Sequence, residues 1–244
     1  MEINFSGKRA LVTGATKGIG RDIAIQLSKC GAEVIAVGRN KNDLLTLQKE
    51  VPRIVPLELD ITDWKQTEKA LKNIGQIDLL VNNAGMGWLK SMMDITEEDI
   101  DSVMGVNIKS LIHVTQIAIK NMLDRKVPGS IVNLSSQASM VGLLHHTVYC
   151  ASKAAVDGFT RAAALEYGPH NIRINAVNPT VILTDMGKLG WSDPKVAKPM
   201  IEKIPLRRFG EVREVTDAVL YLLSDKSSMI TGMTLPIDGG FTAC

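Results

Sequence analysis

Arg9-Ala10-Leu11-Val12-Thr13-Gly14-Ala15-Thr16-Lys17-Gly18-Ile19-Gly20 is the stretch that decides the fold. A short strand pattern, residues 9–12, runs directly into a glycine-rich loop, and the loop opens a helical pattern over residues 19–29. The spacing Gly-x-x-x-Gly-x-Gly lets the backbone turn tightly and approach a pyrophosphate resting on a helix N-terminus. Gly14, Lys17, Gly18, Ile19 and Gly20 are the positions expected to touch it.

Outward from this loop, short apolar runs alternate with longer helical patterns. Strands are expected at residues 9–12, 33–37, 54–59, 79–82, 130–134, 173–177 and 234–237. Helices are expected at 19–29, 42–50, 63–73, 97–125, 148–167 and 212–224. Such alternation predicts an α/β, doubly wound Rossmann fold: a seven-stranded parallel sheet with helices on both faces. No repeat, low-complexity tract or linker interrupts residues 1–244, which read as one dinucleotide-binding catalytic domain. The least regular stretch is 178–209, and residues 185–209 of it are expected to form a lid over the site.

Bulk properties exclude several classes. A formal charge of +2 and scattered Lys and Arg give no electrostatic case for nucleic acid or an anionic membrane. No apolar run approaches the ~18 residues of a membrane span. Neither a signal peptide nor a C-terminal lipidation or peroxisomal signal is read. Cys30, Cys150 and Cys244 stand at unrelated spacings, which argues against a disulfide framework and fits a reducing, cytoplasmic compartment. His145-His146 lacks a third ligand at suitable spacing, so no metal is expected.

Charge near the second strand bears on the cofactor. An NAD site places a carboxylate about twenty residues past the glycines to bond the ribose hydroxyls. Here the strand ends Ala36-Val37-Gly38-Arg39-Asn40, with a guanidinium and no acid. Arg39 and Lys17 around a 2′-phosphate favour NADP(H). Asp60 is placed either to accept from the adenine amino group or to cap the turn after the third strand. Asn82-Asn83-Ala84-Gly85 closes the fourth strand and would border the adenine ribose.

The chemistry is read from Ser136, Tyr149 and Lys153. On a helix, Tyr149 and Lys153 share one face. A phenol titrates near ~10, so at neutral pH it is a poor acid–base group. A neighbouring ammonium is expected to lower that value toward the working pH. Ser136 follows a buried strand pattern, at the strand end where open α/β sheets bind ligands. Its hydroxyl would hold a substrate carbonyl while Tyr149 delivers the proton. Gln137, Leu143 and His146 after it, and Trp191 on the lid, are the candidate substrate residues.

Residues 13–20, Asn82–Gly85, Asn107, Ser136 and Tyr149–Lys153, in this order and spacing, resemble the short-chain dehydrogenase/reductase family. The resemblance extends from Gly7 to Gly240. It implies a fourth catalytic residue, Asn107, whose amide would help hold a water relaying protons through Lys153 to Tyr149. It implies that Ala84, Gly85, Pro179, Val181, Thr184, Tyr149 and Lys153 border the cofactor, with Thr184 on the nicotinamide carboxamide. Asn178-Pro179-Thr180 departs from the family's usual Pro-Gly at this loop. Pro128–Asn133, Gly168-Pro169-His170, Trp191–Pro194 and the ending Gly239–Cys244 are similar to a branch acting on small carbonyl compounds. That likeness implies NADPH-dependent reduction of L-xylulose to xylitol and of α-dicarbonyls such as diacetyl, by a homotetramer. Two alternatives stand beside it: a 3-oxoacyl or steroid-type reductase on the same scaffold, and a non-catalytic NADP-binding scaffold or sensor.

Overall fold

Along β1 (Arg9–Thr13), Ala10 and Val12 enter one apolar cluster and Leu11 another. Val34 and Ala36 alternate with Ile35 and Val37 in the same way along β2 (Glu33–Gly38). A strand buried on both faces belongs inside a parallel sheet covered by helices on each side. The computed structural model, which describes residues 2–244 apart from the side chain of Met186, has this architecture. With β3 (Ile54–Glu58), β4 (Leu79–Asn82), β5 (Gly129–Leu134), β6 (Ile172–Pro179) and β7 (Thr234–Ile237), the strands form one seven-stranded sheet in the order β3-β2-β1-β4-β5-β6-β7. Every neighbouring pair is parallel. Each expected strand is present.

The helices described are α1 (Gly18–Lys29), α2 (Lys41–Glu50), α3 (Trp64–Lys72), α4 (Glu97–Met104), α5 (Ser110–Arg125), α6 (Thr147–Tyr167), α7 (Asp185–Gly190), α8 (Pro194–Ile201) and α9 (Val212–Leu223). One face of the sheet buries Ile23 and Leu27 of α1, Leu44 of α2 and Val215 and Val219 of α9. The other buries Leu71 of α3, Val114 and Met122 of α5 and Ala163 of α6. Each large aliphatic side chain so buried contributes roughly 1.5–3 kcal/mol. Sheet order reverses between β1 and β4, so the loops after these strands diverge and leave a crevice at their carboxyl ends.

Two differences from the sequence reading concern this end of the sheet. The pattern over 97–125 is not one helix: α4 and α5 are joined by a π-helical turn, Gly105–Lys109. The 178–209 stretch is more regular than its prolines suggest, because it contains α7 and α8. Thr184 caps α7 by accepting from the Gly187 amide, and Asp193 caps α8 just before Pro194, where a proline suits a helix start. The lid has a small core of its own, formed by Ala197, Ile204 and Phe209.

Candidate active site

The glycine-rich loop is shaped by the end of β4. Gly14 has φ +64°, and a Cβ there would lie 2.8 Å from the Ala84 Cα. Gly18, φ +56°, would bring a Cβ within 3.1 Å of the Thr184 methyl. Both close approaches need glycine. The Asn83 side-chain amide donates to the carbonyls of Thr13 (3.1 Å) and Gly14 (3.0 Å). In return the Thr13 hydroxyl oxygen accepts from the Asn83 and Ala84 amides at 3.1 and 3.2 Å. Asn83 therefore braces the loop with its side chain. Gly20 is buried against this brace, and Ile19 packs on the core below it. Helix α1 starts at Gly18 without a side-chain cap, so its leading amides have the unpaired character that suits an anion. A Cβ-free turn under a bare helix N-terminus fits a dinucleotide pyrophosphate.

Around the second and third strands, Lys17 is largely exposed, with its ammonium 3.4 Å from the Asp43 carboxylate. Arg39 lies exposed at the end of β2. Asp60 closes its own turn, its Oδ1 accepting from the Thr62 amide (3.0 Å) and hydroxyl (2.7 Å). Burial acts to raise the Asp60 carboxyl, but the Thr62 hydrogen bonds and the Arg39 guanidinium outweigh it and hold it below its ordinary value. Of the two roles read for Asp60, the turn cap is the one its hydrogen bonds make.

Ser136, Tyr149 and Lys153 come together at the end of β5. Ser136 starts the 3-10 turn Gln137–Ser139, and its hydroxyl oxygen accepts from the Ala138 amide at 3.1 Å, leaving its proton to donate. Lys153 is buried, donates to the Leu134 carbonyl at 2.8 Å, and stands 5.7 Å from the centre of the Tyr149 ring. The phenol value runs against expectation. Burial raises the Tyr149 phenol above its usual range, although the Ser136 hydroxyl pulls it down. Burial also lowers the Lys153 ammonium to about 8, with the Asp157 charge opposing that fall. Desolvation thus outweighs the pull of the Ser136 hydroxyl on the phenol.

Asn107 sits in the π-helical turn, 1% exposed. Its Oδ1 accepts from the Met86 amide (2.8 Å), and its Nδ2 donates to the Met86 carbonyl (2.8 Å) and the Ser152 hydroxyl (2.9 Å). The side chain thereby fixes the loop after β4 onto α6. Its link to Lys153 runs across Gly85, where a Cβ would meet the Lys153 ammonium at 3.4 Å and Asn107 Oδ1 at 3.5 Å.

Of the substrate candidates, His146 and Gln137 adjoin this set. Half-buried His146 leads into α6, T-shaped to the Tyr149 ring with centroids 6.1 Å apart. Its Nδ1 lies 2.7 Å from the Leu144 carbonyl, which assigns the proton to Nδ1 in the neutral ring and leaves Nε2 an acceptor. Gln137 is buried, with Oε1 lacking a partner. Leu143 is half-buried on the loop between them. Trp191 packs on Phe209 at 5.3 Å within the lid's own core, together with Val181. Pro179 ends β6, and Thr180, where the family has glycine, is absent from the positive-φ residues and bonds the Ile237 carbonyl (3.1 Å). Thr184 reaches the glycine loop from the lid side.

The sequence reading missed several participants. Gly87 lies over the Tyr149 ring, where a Cβ would come 2.8 Å from Cδ2. Ser152 links Asn107 to the Tyr149 carbonyl, donating to it at 2.8 Å. Its position immediately before Lys153 was the available signal.

The family model described as enoyl-(acyl carrier protein) reductase matches residues 14–242. The chain is 52% identical to the L-xylulose reductase of Mus musculus over the whole of both chains. It is 46% identical to the NADPH carbonyl reductase 2 of Sus scrofa, again over both whole chains. Among solved structures it superposes with a TM-score of 0.94 on a gluconate 5-dehydrogenase from Burkholderia cenocepacia in complex with NADP and tartrate, at 27% identity over 100% of this chain and 98% of that one. Full-length identity of this order, on a nucleotide crevice flanked by Ser136, Tyr149 and Lys153, places the chain in the short-chain dehydrogenase/reductase family.

Proposed function

We propose that the protein is an NADPH-dependent reductase of small carbonyl compounds, with L-xylulose and α-dicarbonyls such as diacetyl as its substrates. The observation that carries this reading is the convergence of Ser136, Tyr149 and Lys153 beside the nucleotide crevice, in a chain half identical to L-xylulose reductases. Gly14, Gly18, Ile19 and Gly20 would admit the pyrophosphate, Lys17 and Arg39 the 2′-phosphate, and Ala84, Gly85, Pro179, Val181 and Thr184 the ribose and nicotinamide side. When bound, NADPH supplies a hydride to the carbonyl carbon.

The chain's own groups manage the oxygen. The Ser136 hydroxyl, whose oxygen accepts from the Ala138 amide, donates to the carbonyl oxygen and holds it. The Tyr149 phenol, held protonated by burial, gives that oxygen its proton. Two donors aimed at the charge that develops there supply the main stabilisation. Lys153 stabilises the phenolate left behind and returns a proton to it from solvent. His146 Nε2 accepts from a substrate hydroxyl, Gln137 and Leu143 shape the wall, and Trp191 closes the lid side.

A non-catalytic scaffold is not favoured, because it has no use for the complete Asn107, Ser136, Tyr149 and Lys153 set. A 3-oxoacyl or steroid reductase is not favoured by relatives that carry sugar and carbonyl reductase names. Assembly as a homotetramer is part of the proposal. The outer face of α6 supports it, with Ala151, Ala154, Ala162 and Leu165 exposed where a second helix can approach closely. A cytoplasmic location fits the three free cysteines.

Initial rates with L-xylulose and with diacetyl, each with NADPH and NADH, test the reading. Turnover of both with NADPH preferred is expected. NADH preference would overturn the cofactor assignment, and inertness toward both would overturn the substrate assignment.

A further inference from the structure

Beneath the catalytic turn, α6 is tied to the sheet at two points one helical turn apart. Lys153 donates to the Leu134 carbonyl of β5 at 2.8 Å, and Asp157 accepts from the Asn178 side chain of β6 at 2.9 Å. The i, i+4 spacing puts both ties on one helix face. Asn178 is fully buried and Asp157 5% exposed.

The same Asn178 nitrogen approaches the Ser139 hydroxyl (2.7 Å) and the Ser136 carbonyl (3.2 Å). The Ser136 carbonyl also accepts from the Ser139 hydroxyl (2.7 Å) and amide (3.0 Å). The backbone carrying the substrate-holding hydroxyl is therefore fixed through Asn178, and Asn178 is oriented by Asp157. The second Asp157 oxygen, Oδ1, is buried without a hydrogen-bond partner. No ion pair within 4 Å involves Asp157 among the described residues. A half-satisfied buried carboxylate is a poor stabilising device.

We infer that Asp157 is a positioning residue for the reaction: through Asn178 it sets the backbone of Ser136, and its charge supports the ammonium of Lys153. This rests on the reductase reading above. Among the described residues, Tyr149 on α6 itself is the titratable group that faces the Lys153 ammonium. The strand ends, the Gln137–Ser139 turn, the loop at Gly85 and the π-helical turn present Leu134, Asn178, Ser136, Gln137, Ser139 and Asn107, which do not titrate in the working range.

The experiment compares pH profiles of NADPH-dependent diacetyl reduction for the full-length wild type, Asp157→Asn, Asn178→Ala and Ser139→Ala. NADPH binding by fluorescence titration serves as the check that each variant is folded. Asp157→Asn keeps an acceptor for Asn178 but loses the charge, so the alkaline fall of kcat/KM moves about one pH unit lower. Asn178→Ala keeps the charge but loses the tie, so kcat falls about tenfold with the alkaline fall unmoved. Ser139→Ala acts like Asn178→Ala, more weakly, and carries the positioning test should Asn178→Ala not fold. Wild-type kcat and an unmoved alkaline fall in the folded variants, even with a lower thermal midpoint, would overturn the inference while leaving the reductase reading intact. A wild type that reduces no carbonyl would overturn that reading first and the inference with it.

Discussion

The Lys153 ammonium lies 5.7 Å from the centre of the Tyr149 ring while its hydrogen bond goes to the Leu134 carbonyl. It faces the phenol's ring without replacing the proton the phenol must donate. With the Lys153 value near 8, the charged form is the majority species at neutral pH and is lost above it. Reduction is expected to be level below pH 8 and to fall above it, read from kcat/KM against pH. Tyr149→Phe removes the donor itself and should lower turnover by at least ~10²–10³. Near-normal rates in that variant would refute the mechanism.

The same lysine gives a stability prediction of definite sign. Its value is lowered in the folded chain, from 10.5 to about 8. Below pH 8 it is protonated folded and unfolded, and the burial cost is fully present. Between the two values the unfolded chain binds the extra proton, so stability rises with pH. Relative to Lys153→Met, the wild type should gain in thermal midpoint between pH 7 and pH 10. A parallel pH trend in the two proteins would contradict this.

Gly14→Ala introduces a side chain at φ +64° and 2.8 Å from the Ala84 backbone. The left-handed conformation alone costs about 1–2 kcal/mol, and the clash displaces the turn further. NADPH affinity is expected to drop by about tenfold or more, measurable by fluorescence titration.

Arg39→Leu removes the exposed guanidinium at the end of β2, whose charge also acts on the Asp60 carboxyl. A hydrogen bond to a charged group contributes about 1.5–3 kcal/mol. The KM for NADPH should rise by at least tenfold, while that for NADH changes little. Lys17→Ala should do less, since that ammonium already has the Asp43 carboxylate beside it.

Asn107→Ala deprives the Met86 amide and carbonyl of their partners. A fully buried orphan costs about 1–3 kcal/mol, and these partly buried ones up to that. Both thermal midpoint and kcat should fall together, in contrast to Tyr149→Phe, which should leave the midpoint near that of the wild type.

The strands were legible because burial on both faces leaves unbroken apolar runs such as Leu79–Val81, and the nucleotide loop because glycine spacing is itself the structural requirement. The convergence of Ser136, Tyr149 and Lys153 was legible from residue type and order. What escaped depends on contacts distant in sequence. The π-helical turn lies inside a continuous helical pattern, and the Asn107–Met86 bonds that accompany it span 21 positions. Prolines in the lid suggested irregularity, yet Pro194 starts a helix. The raised phenol was out of reach for a different reason: a sequence names neighbours but does not say which of them water can still touch.

The Asn83 brace has a thermodynamic corollary. A loop held by the end of a neighbouring strand pays its ordering entropy during folding, so a dinucleotide meets a preorganised surface. Association should then proceed without a slow loop-closing phase, and differences in affinity among cofactors should appear chiefly as differences in how long each one stays.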